Sequence, residues 1–381
     1  MENNEIIMTI NVQEITDREQ WNSFLTSQQH GHVHQSYEWG ELNRYLGRRI
    51  YRLGALEGGR MVGSMLLTVS PIPLLLPISK LLPGWLYCLR GPTVEHPDSP
   101  ALAALIKSAE EIARREHAVI LRLEPNIADD DPDMDAWIAG YHALGFRTNH
   151  YALYPRRSWV LDIRPDMDQL FANFKTTWRQ NVRIAERKGV IVREAQGEAD
   201  FDAYYSLMEV TSKRDNFLLL SKDYHKEILR QFAGKNDAVL YLAEHEGEAI
   251  AAKMLIRFGD WCWDMFGASS SNKRNLKPTY LLQYRCFQWA KARGCSYFDF
   301  RAIPEVLEPG EEMWGVYEFK KGFGGFSRLS MPMQDYVLRP FIYTAWRKYV
   351  EIRRSGEHEK RKKEEPVRAA RGEVETGKAL E

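Results

Sequence analysis

A run near the C-terminal end of the chain joins bulk, charge and freedom of the backbone. It reads Trp314-Gly315-Val316-Tyr317-Glu318-Phe319-Lys320-Lys321-Gly322-Phe323-Gly324-Gly325-Phe326. Aromatic side chains pin a backbone in place, and the glycines let a ligand or a second segment approach it closely. A lysine held between them is a positive charge that cannot easily swing away, suited to stabilising a developing negative charge. The same residue types also make an amphipathic helix end closed by a glycine. Residue types alone leave both readings open.

Three other groups carry charge or ligand chemistry. Lys175, Arg179, Arg183 and Arg187 recur every four residues, which on a helix lines them along one stripe. That stripe is either a solvated face or a surface for phosphates. His30, His32 and His34 alternate and on a strand would share one face. They could bind a metal, but no cysteine or carboxylate cluster joins them, so a polar strand edge is expected. Asp129-Asp130-Asp131-Pro132-Asp133 lacks the central glycine and terminal glutamate of a calcium loop. It is expected to cap a helix over Met134–Leu144. No metal is expected at either place. No nucleophile elbow and no convincing Ser-His-Asp set stands out.

These residues must be positioned by folded domains. The chain has 381 residues, 44% of them hydrophobic and 12% aromatic, enough for two cores. Lysine plus arginine and aspartate plus glutamate both number 52, so bulk charge does not drive nucleic-acid binding and any such contact needs a local patch. Cys88, Cys262, Cys286 and Cys295 form no CxxC pair, which points to a reducing compartment without disulfides or structural zinc. The start of the chain is polar and acidic, unlike a signal peptide. The most apolar region, Met61 to Leu89, is broken by four prolines and Lys80. It does not read as a membrane span, but its loop Pro71–Pro83 could touch a membrane surface or lie buried between domains.

The expected elements alternate. A strand over Ile6–Ile15 leads to a helix capped by Asp17, then to a helix carrying Asn43 and Arg44. A hairpin turns at Glu57-Gly58-Gly59, and a strand at Trp85 ends in Arg90-Gly91-Pro92. A helix follows from Pro100, then a strand from Ala118. In the second half a strand spans Ser158–Ile163 and one long helix Asp166–Lys188. A strand covers Val190–Glu194, and helices start at Asp200 and Asp223 with Arg214-Asp215-Asn216-Phe217 between them. A hairpin turns at Glu246-Gly247. A strand at Trp261, a helix from Pro278 and a strand from Ser296 complete the unit. A strand near Leu329–Val337 and a helix from Pro340 to about Ile352 follow. The two helix starts, Pro100 and Pro278, and the two following strand starts, Ala118 and Ser296, are separated by the same number of residues. Two α/β units of like topology are expected, with a cleft between them as the natural ligand site.

Hairpin, strand, helix, strand is the core of GNAT-type acetyltransferases, which cradle a coenzyme A pyrophosphate in a glycine-rich turn at the helix start. Here the turns are Asn272-Lys273-Arg274-Asn275-Leu276-Lys277 and Glu95-His96-Pro97-Asp98-Ser99, without glycine. The architecture fits; a coenzyme A site is not expected.

Together the motifs resemble the Fem-type (FemABX) peptidyl transferases. The matching pieces are Gln35-Ser36-Tyr37-Glu38-Trp39-Gly40-Glu41, Arg90-Gly91-Pro92, Lys175-Thr176-Thr177-Trp178-Arg179-Gln180-Asn181-Val182-Arg183, Arg214-Asp215-Asn216-Phe217 and Gly315-Val316-Tyr317-Glu318-Phe319-Lys320. The resemblance implies an α/β (α+β) protein of tandem GNAT-like acyltransferase domains about a central cleft. The domains would be residues 1–155 completed by 327–352, and 156–326, with 353–381 a charged, disordered tail. The long helical arm of some members has no room here.

The activity implied is transfer of an amino acid from aminoacyl-tRNA, with no other cofactor, to an amine in the stem peptide of a UDP-linked or lipid-linked peptidoglycan precursor. The place implied is cytoplasmic, with a peripheral contact to the inner membrane face. An aminoacyl ester is already activated, so orientation and a cation for the oxyanion suffice. By resemblance Lys320 supplies the cation and the Phe319 carbonyl orients the attacking amine. Arg214 binds precursor phosphates, and Phe266 stands where the family tends to place a stacking tyrosine. Trp39, Phe217 and Tyr280 join the expected substrate site, and Lys175, Arg179 and Arg183 the tRNA contact. The family's phosphate-binding lysine after the first tryptophan is replaced by Asn43, which shifts that contact to Arg44. Two alternatives stay open: a coenzyme A-dependent N-acyltransferase acting on a sugar or polysaccharide intermediate, and a non-catalytic module that holds a glycan precursor.

Overall fold

A computed structural model describes residues 10–70, 84–150, 155–234, 236–349 and 352. The chain divides into two compact units, one of Met1–Tyr154 with the chain from Ser330, the other of Pro155–Leu329. The loop Pro71–Pro83 and the tail 353–381 lie outside the described residues.

The first unit is an eight-stranded sheet. Its order is β1 (Asn11–Glu14), β2 (Ile50–Glu57), β3 (Arg60–Ser70), β4 (Trp85–Leu89), β6 (Ile120–Glu124), β15 (Met333–Val337) and β7 (Arg147–Asn149), with β5 (Thr93–Val94) beside β3. Among the described strands only β4 and β6 run parallel, joined by α3 (Pro100–Arg115). Ser99 caps α3 by accepting from the amide of Ala101, and proline opens it. Its apolar stripe, Leu102, Leu105, Ile106 and Ile112, packs on Leu53, Met65, Leu67, Leu86, Leu121 and Leu123 of the sheet. Between β6 and β15 Arg122 and Asp335, both fully buried, form a two-pronged ion pair of 2.6 and 2.7 Å.

The second unit repeats the plan. Its seven strands run in the order β14 (Phe326–Leu329), β8 (Arg157–Asp162), β13 (Tyr297–Ala302), β12 (Trp261–Ser269), β11 (Glu248–Phe258), β10 (Ala238–His245) and β9 (Ile191–Glu194). Here β12 and β13 are the parallel pair, and α9 (Pro278–Ala292) joins them. The hairpin β10–β11 turns at Glu246 and Gly247, both left-handed. The core behind α9 is aromatic: Phe174, Tyr280, Phe287, Phe298, Phe300 and Phe323 meet largely edge to face.

Several expected elements are corrected. The long helix over Asp166–Lys188 is two, α5 (Met167–Asn173) and α6 (Thr176–Arg187). Phe174 between them is extended and turned into the core, and the amide of Lys175 donates to Gly322 O at 2.8 Å. Core burial and that one bond outweigh helix propensity at a place with no proline or glycine. The strand near Leu329–Val337 is likewise two, β14 in one unit and β15 in the other. The histidines share no strand face: Val33–Gln35 is a short 3₁₀ turn and His32 Nδ1 accepts from the amide of His34. Among the described residues no His/Cys/Asp/Glu group could hold a metal. Helix α4 (Met134–Ala143) follows Asp133, whose side chain makes no capping bond. Arg214 and Asp215 are not between helices but close α7 (Gly197–Asp215), ahead of left-handed Asn216 and of α8 (Lys222–Ala233).

Candidate functional site

The Trp314–Phe326 run is α10 (Trp314–Lys321) followed by a glycine corner. Gly322 has ordinary helical φ, yet a Cβ there would fall 2.3 Å from the Trp178 ring. Gly324 and Gly325 are left-handed, and a Cβ on Gly325 would meet the Val160 carbonyl at 2.3 Å. Trp178 of α6 donates through Nε1 to the Phe319 carbonyl at 2.9 Å. So the tryptophan of the motif Lys175–Arg183 and the glycine of the C-terminal run are one packing unit, and together they fix α10.

That fixed helix aims Lys320 inward. Lys320 is 9% exposed, and its Nζ donates to the Ala302 carbonyl at 2.6 Å. Ala302 ends β13, just where the sheet opens. β12 and β13 pair only over Trp261–Tyr297, Cys262–Phe298 and Trp263–Asp299, then part. Each carries a bulge at this point, with Met265 as the extra residue in β12. In the first unit the corresponding pair stays joined to the end, Leu89 opposite Glu124.

Around Lys320 the open end holds charged side chains that are themselves buried: Lys253, Asp264 and Asp299. Lys253 is ion-paired to Asp264, and Asp299 accepts from the amide of Arg301 at 2.6 Å. Burial pushes the Lys320 ammonium down to about 7; Asp264 and Asp299 pull it up, and Lys253 and Arg301 push it down. An amine titrating near neutrality can serve as a cation or pass a proton. The Phe319 carbonyl already accepts from Trp178, which leaves one lone pair for a ligand.

The other expected residues scatter. Phe266 stacks on the buried His225 at 4.1 Å, and His225 Nδ1 meets Tyr204 Oη at 2.5 Å. Burial lowers His225 to about 4, so it is neutral at neutral pH. Tyr280 is buried and packs edge-on to Trp178 and Phe319, each at 5.3 Å, so it supports α10 from behind. Arg214 is held by its neighbour Asp215 at 2.8 and 2.9 Å and donates to Ser269 O at 2.9 Å. Phe217 is 41% exposed. Lys175 is off the basic stripe, at the cap of α6 and 4.9 Å from the Trp178 ring. Arg179 closes α5 by donating to Ala172 O, and Arg183 stands 5.6 Å over Phe171.

In the first unit Trp39 is buried and lies tilted against the His34 ring, the centroids 4.2 Å apart. Asn43 is a structural residue: Nδ2 donates to Trp39 O at 2.8 Å and Oδ1 accepts from Arg48 at 2.9 Å. Arg44 is exposed and paired with Glu41 at 3.0 Å. The first two motifs meet physically. The Gln35 amide donates to Leu89 O at 2.7 Å and accepts from Leu66 N at 2.8 Å, and a Cβ on Gly91 would strike it at 2.6 Å.

Asp264, Lys253, Asp299 and Arg301 escaped the sequence reading. Their signal is nevertheless present: single charges inside apolar strands, as in Ala249-Ile250-Ala251-Ala252-Lys253-Met254-Leu255-Ile256. Such a charge is costly to bury unless paired or used.

Known proteins bear on this arrangement. A lipid II:glycine glycyltransferase of Staphylococcus aureus (strain USA300) is 24% identical over 402 residues, covering 86% of this chain and 93% of the relative. A crystal structure of FemX superposes with a TM-score of 0.79 at 22% identity, over 88% of this chain and 99% of FemX. A tandem GNAT protein from the clavulanic acid biosynthesis pathway superposes with a TM-score of 0.53 at 13% identity, over 86% and 98%. The sequence matches the model of the FemAB family over residues 16–248 and 243–348. The chain belongs to the FemAB family.

Proposed function

We propose that this acyltransferase moves an amino acid from the 3′ ester of a charged tRNA to an amine in the stem peptide of a lipid-linked or UDP-linked peptidoglycan precursor. The observation that carries the reading is Lys320: a buried amine held on a fixed helix at the open end of a parallel strand pair. The relative from Staphylococcus aureus is named for glycyl transfer to lipid II, which supports a lipid-linked acceptor and glycine as the first donor to try.

The chemistry asks little of the protein. The ester is already activated, so a neutral acceptor amine attacks the carbonyl carbon and the ribose hydroxyl leaves. The C–N bond forms as the C–O bond breaks, and the amine's proton leaves to water or to the departing oxygen. What speeds the step is alignment and a cation at the tetrahedral oxyanion. Lys320 as ammonium supplies the cation, and the free lone pair of the Phe319 carbonyl orients the attacking N–H. Arg214 and Phe217, at the end of α7, are proposed for the acceptor, with Phe266 stacking on it. Trp39 and Arg44 of the first unit are proposed for the acceptor as well. Lys175, Arg179 and Arg183 are proposed for the RNA backbone. Among the described residues no helix is long and apolar enough to cross a membrane, so a lipid-linked acceptor is to be met at the membrane surface.

The test is mass spectrometry of precursor incubated with enzyme and charged tRNAs, beginning with glycyl-tRNA. One added residue on the precursor is expected. No mass gain from any charged tRNA, with gain from an acyl-coenzyme A instead, rejects the reading.

A further inference from the structure

Arg301 lies at the same parted strands. Its backbone stands at φ 64°, a left-handed conformation that strains a residue with a side chain. The strain is held by its own amide, which donates to Asp299 Oδ1 at 2.6 Å. The side chain then crosses the gap: Nη1 donates to the Met265 carbonyl of β12 at 3.0 Å. Because β12 and β13 have stopped pairing at this level, that bond spans the opening itself.

One edge of the guanidinium is therefore pinned and the other is free. Among the described residues nothing accepts from Nε or Nη2, and Arg301 forms no ion pair. The nearby carboxylates are engaged: Asp264 with Lys253, Asp299 with the Arg301 amide. Arg301 is half-buried, so the free edge is reachable yet partly shielded from water. A planar fork, fixed by one bond and lacking a carboxylate, is a preorganised receptor for a phosphate or carboxylate. Lys320 stands close enough to feel its charge.

We propose that Arg301 binds the phosphodiester of the donor's 3′-terminal nucleotide and so sets the aminoacyl ester against Lys320. This rests on the reading of the chain as an RNA-dependent transferase. The ester sits on the terminal ribose, and the 5′-phosphate of that same nucleotide is the nearest fixed anion to it. The acceptor's phosphates lie at the far end of a sugar and a peptide from the amine that reacts. A two-pronged arginine–phosphate contact there would fix both position and orientation of the ester, which a point charge would not.

The experiment uses the full chain with Arg301→Gln and Arg301→Lys, each checked for folding by thermal melting. Calorimetry compares two unreactive probes, 3′-glycylamido-3′-deoxyadenosine with and without a 5′-phosphate. The wild type should bind the phosphate-bearing probe roughly tenfold or more tightly than the bare nucleoside. Arg301→Gln should lose that preference, and Arg301→Lys should keep part of it. In steady state Arg301→Gln should raise KM for charged tRNA by about the same factor with kcat within about twofold. The proposal is overturned if Arg301→Gln keeps the full phosphate preference, or if the wild type binds neither probe. It is also overturned if both probes weaken alike, or if KM rises for the precursor instead, which would assign the fork to an acceptor carboxylate. Should Arg301→Gln fail to fold, Arg301→Lys carries the same comparison. Lack of transfer from charged tRNA by the wild type rejects the proposed function separately, because the calorimetry reads Arg301 without turnover.

Discussion

The ammonium of Lys320 donates to the main-chain carbonyl of Ala302 at 2.6 Å. That single bond ties helix α10 to the end of β13, at the point where the parallel pair opens. Its energetic setting is unusual for a lysine. The side chain is buried, and the buried carboxylates that act on it, Asp264 and Asp299, are already bound to other donors.

Burying that amine makes stability depend on pH. The folded pKa, about 7, lies below the ordinary value of 10.5, so between these values the unfolded chain binds more protons. Stability then rises with pH across this window, by at most about 1.4 kcal/mol per unit. Below about 7 the full cost of the buried charge is present. Lys320→Met should therefore raise Tm at pH 6, and the gain should shrink steadily towards pH 9. A gain that does not change with pH, or a loss at pH 6, contradicts the setting described for Lys320.

Gly322 is required for space and not for backbone conformation. Its φ is −65°, but a Cβ would sit 2.3 Å from the Trp178 ring. Gly322→Ala should cost about 1–3 kcal/mol by overpacking and displace the Trp178–Phe319 bond with it. Gly315 lies in the same helix with nothing within 4 Å, so Gly315→Ala should stabilise by roughly 0.5–1 kcal/mol. Urea denaturation of both variants checks the contrast. Equal effects would mean that the close approach of Trp178 is not what the glycine serves.

In the first unit, Arg122 and Asp335 are fully buried partners, and Asp335 also accepts from Asn149 at 2.7 Å and Tyr343 at 2.8 Å. Removing one partner strands a charge. Arg122→Met should destabilise by about 3–5 kcal/mol. Joint replacement by Arg122→Met and Asp335→Leu should recover a good part of that loss. A double variant no better than the single would show that the remaining hydrogen bonds, not the stranded carboxylate, set the cost.

Much of the architecture could be read from local signals. Asp17, Ser99 with Pro100, Glu57-Gly58-Gly59 and Glu246-Gly247 mark ends and turns through their own backbone chemistry, and each does so in the structure. The repeat of hairpin, strand, helix and strand followed from their spacing. The break at Phe174 was hidden, because it is set by a core of Tyr284, Phe287 and Phe323 and by a bond to Gly322, all distant in sequence. The open end of β12 and β13 was hidden for a like reason. Neither strand shows where a partner ceases to pair. Lys320 stood out through its motif, whereas its low pKa comes first from burial, with Asp264 and Asp299 opposing and Lys253 and Arg301 adding to the fall, all four on three other strands. Alternation of three histidines reads as strand geometry, whereas a short turn places His34 against Trp39.

The most direct measurement is single-turnover transfer from charged tRNA to a precursor amine by the wild type and by Lys320→Ala, both verified as folded. Loss of one oxyanion stabiliser predicts a fall of roughly a hundredfold or more in the rate, with precursor binding little changed. Equal rates for the two proteins would contradict the central role given to this buried amine.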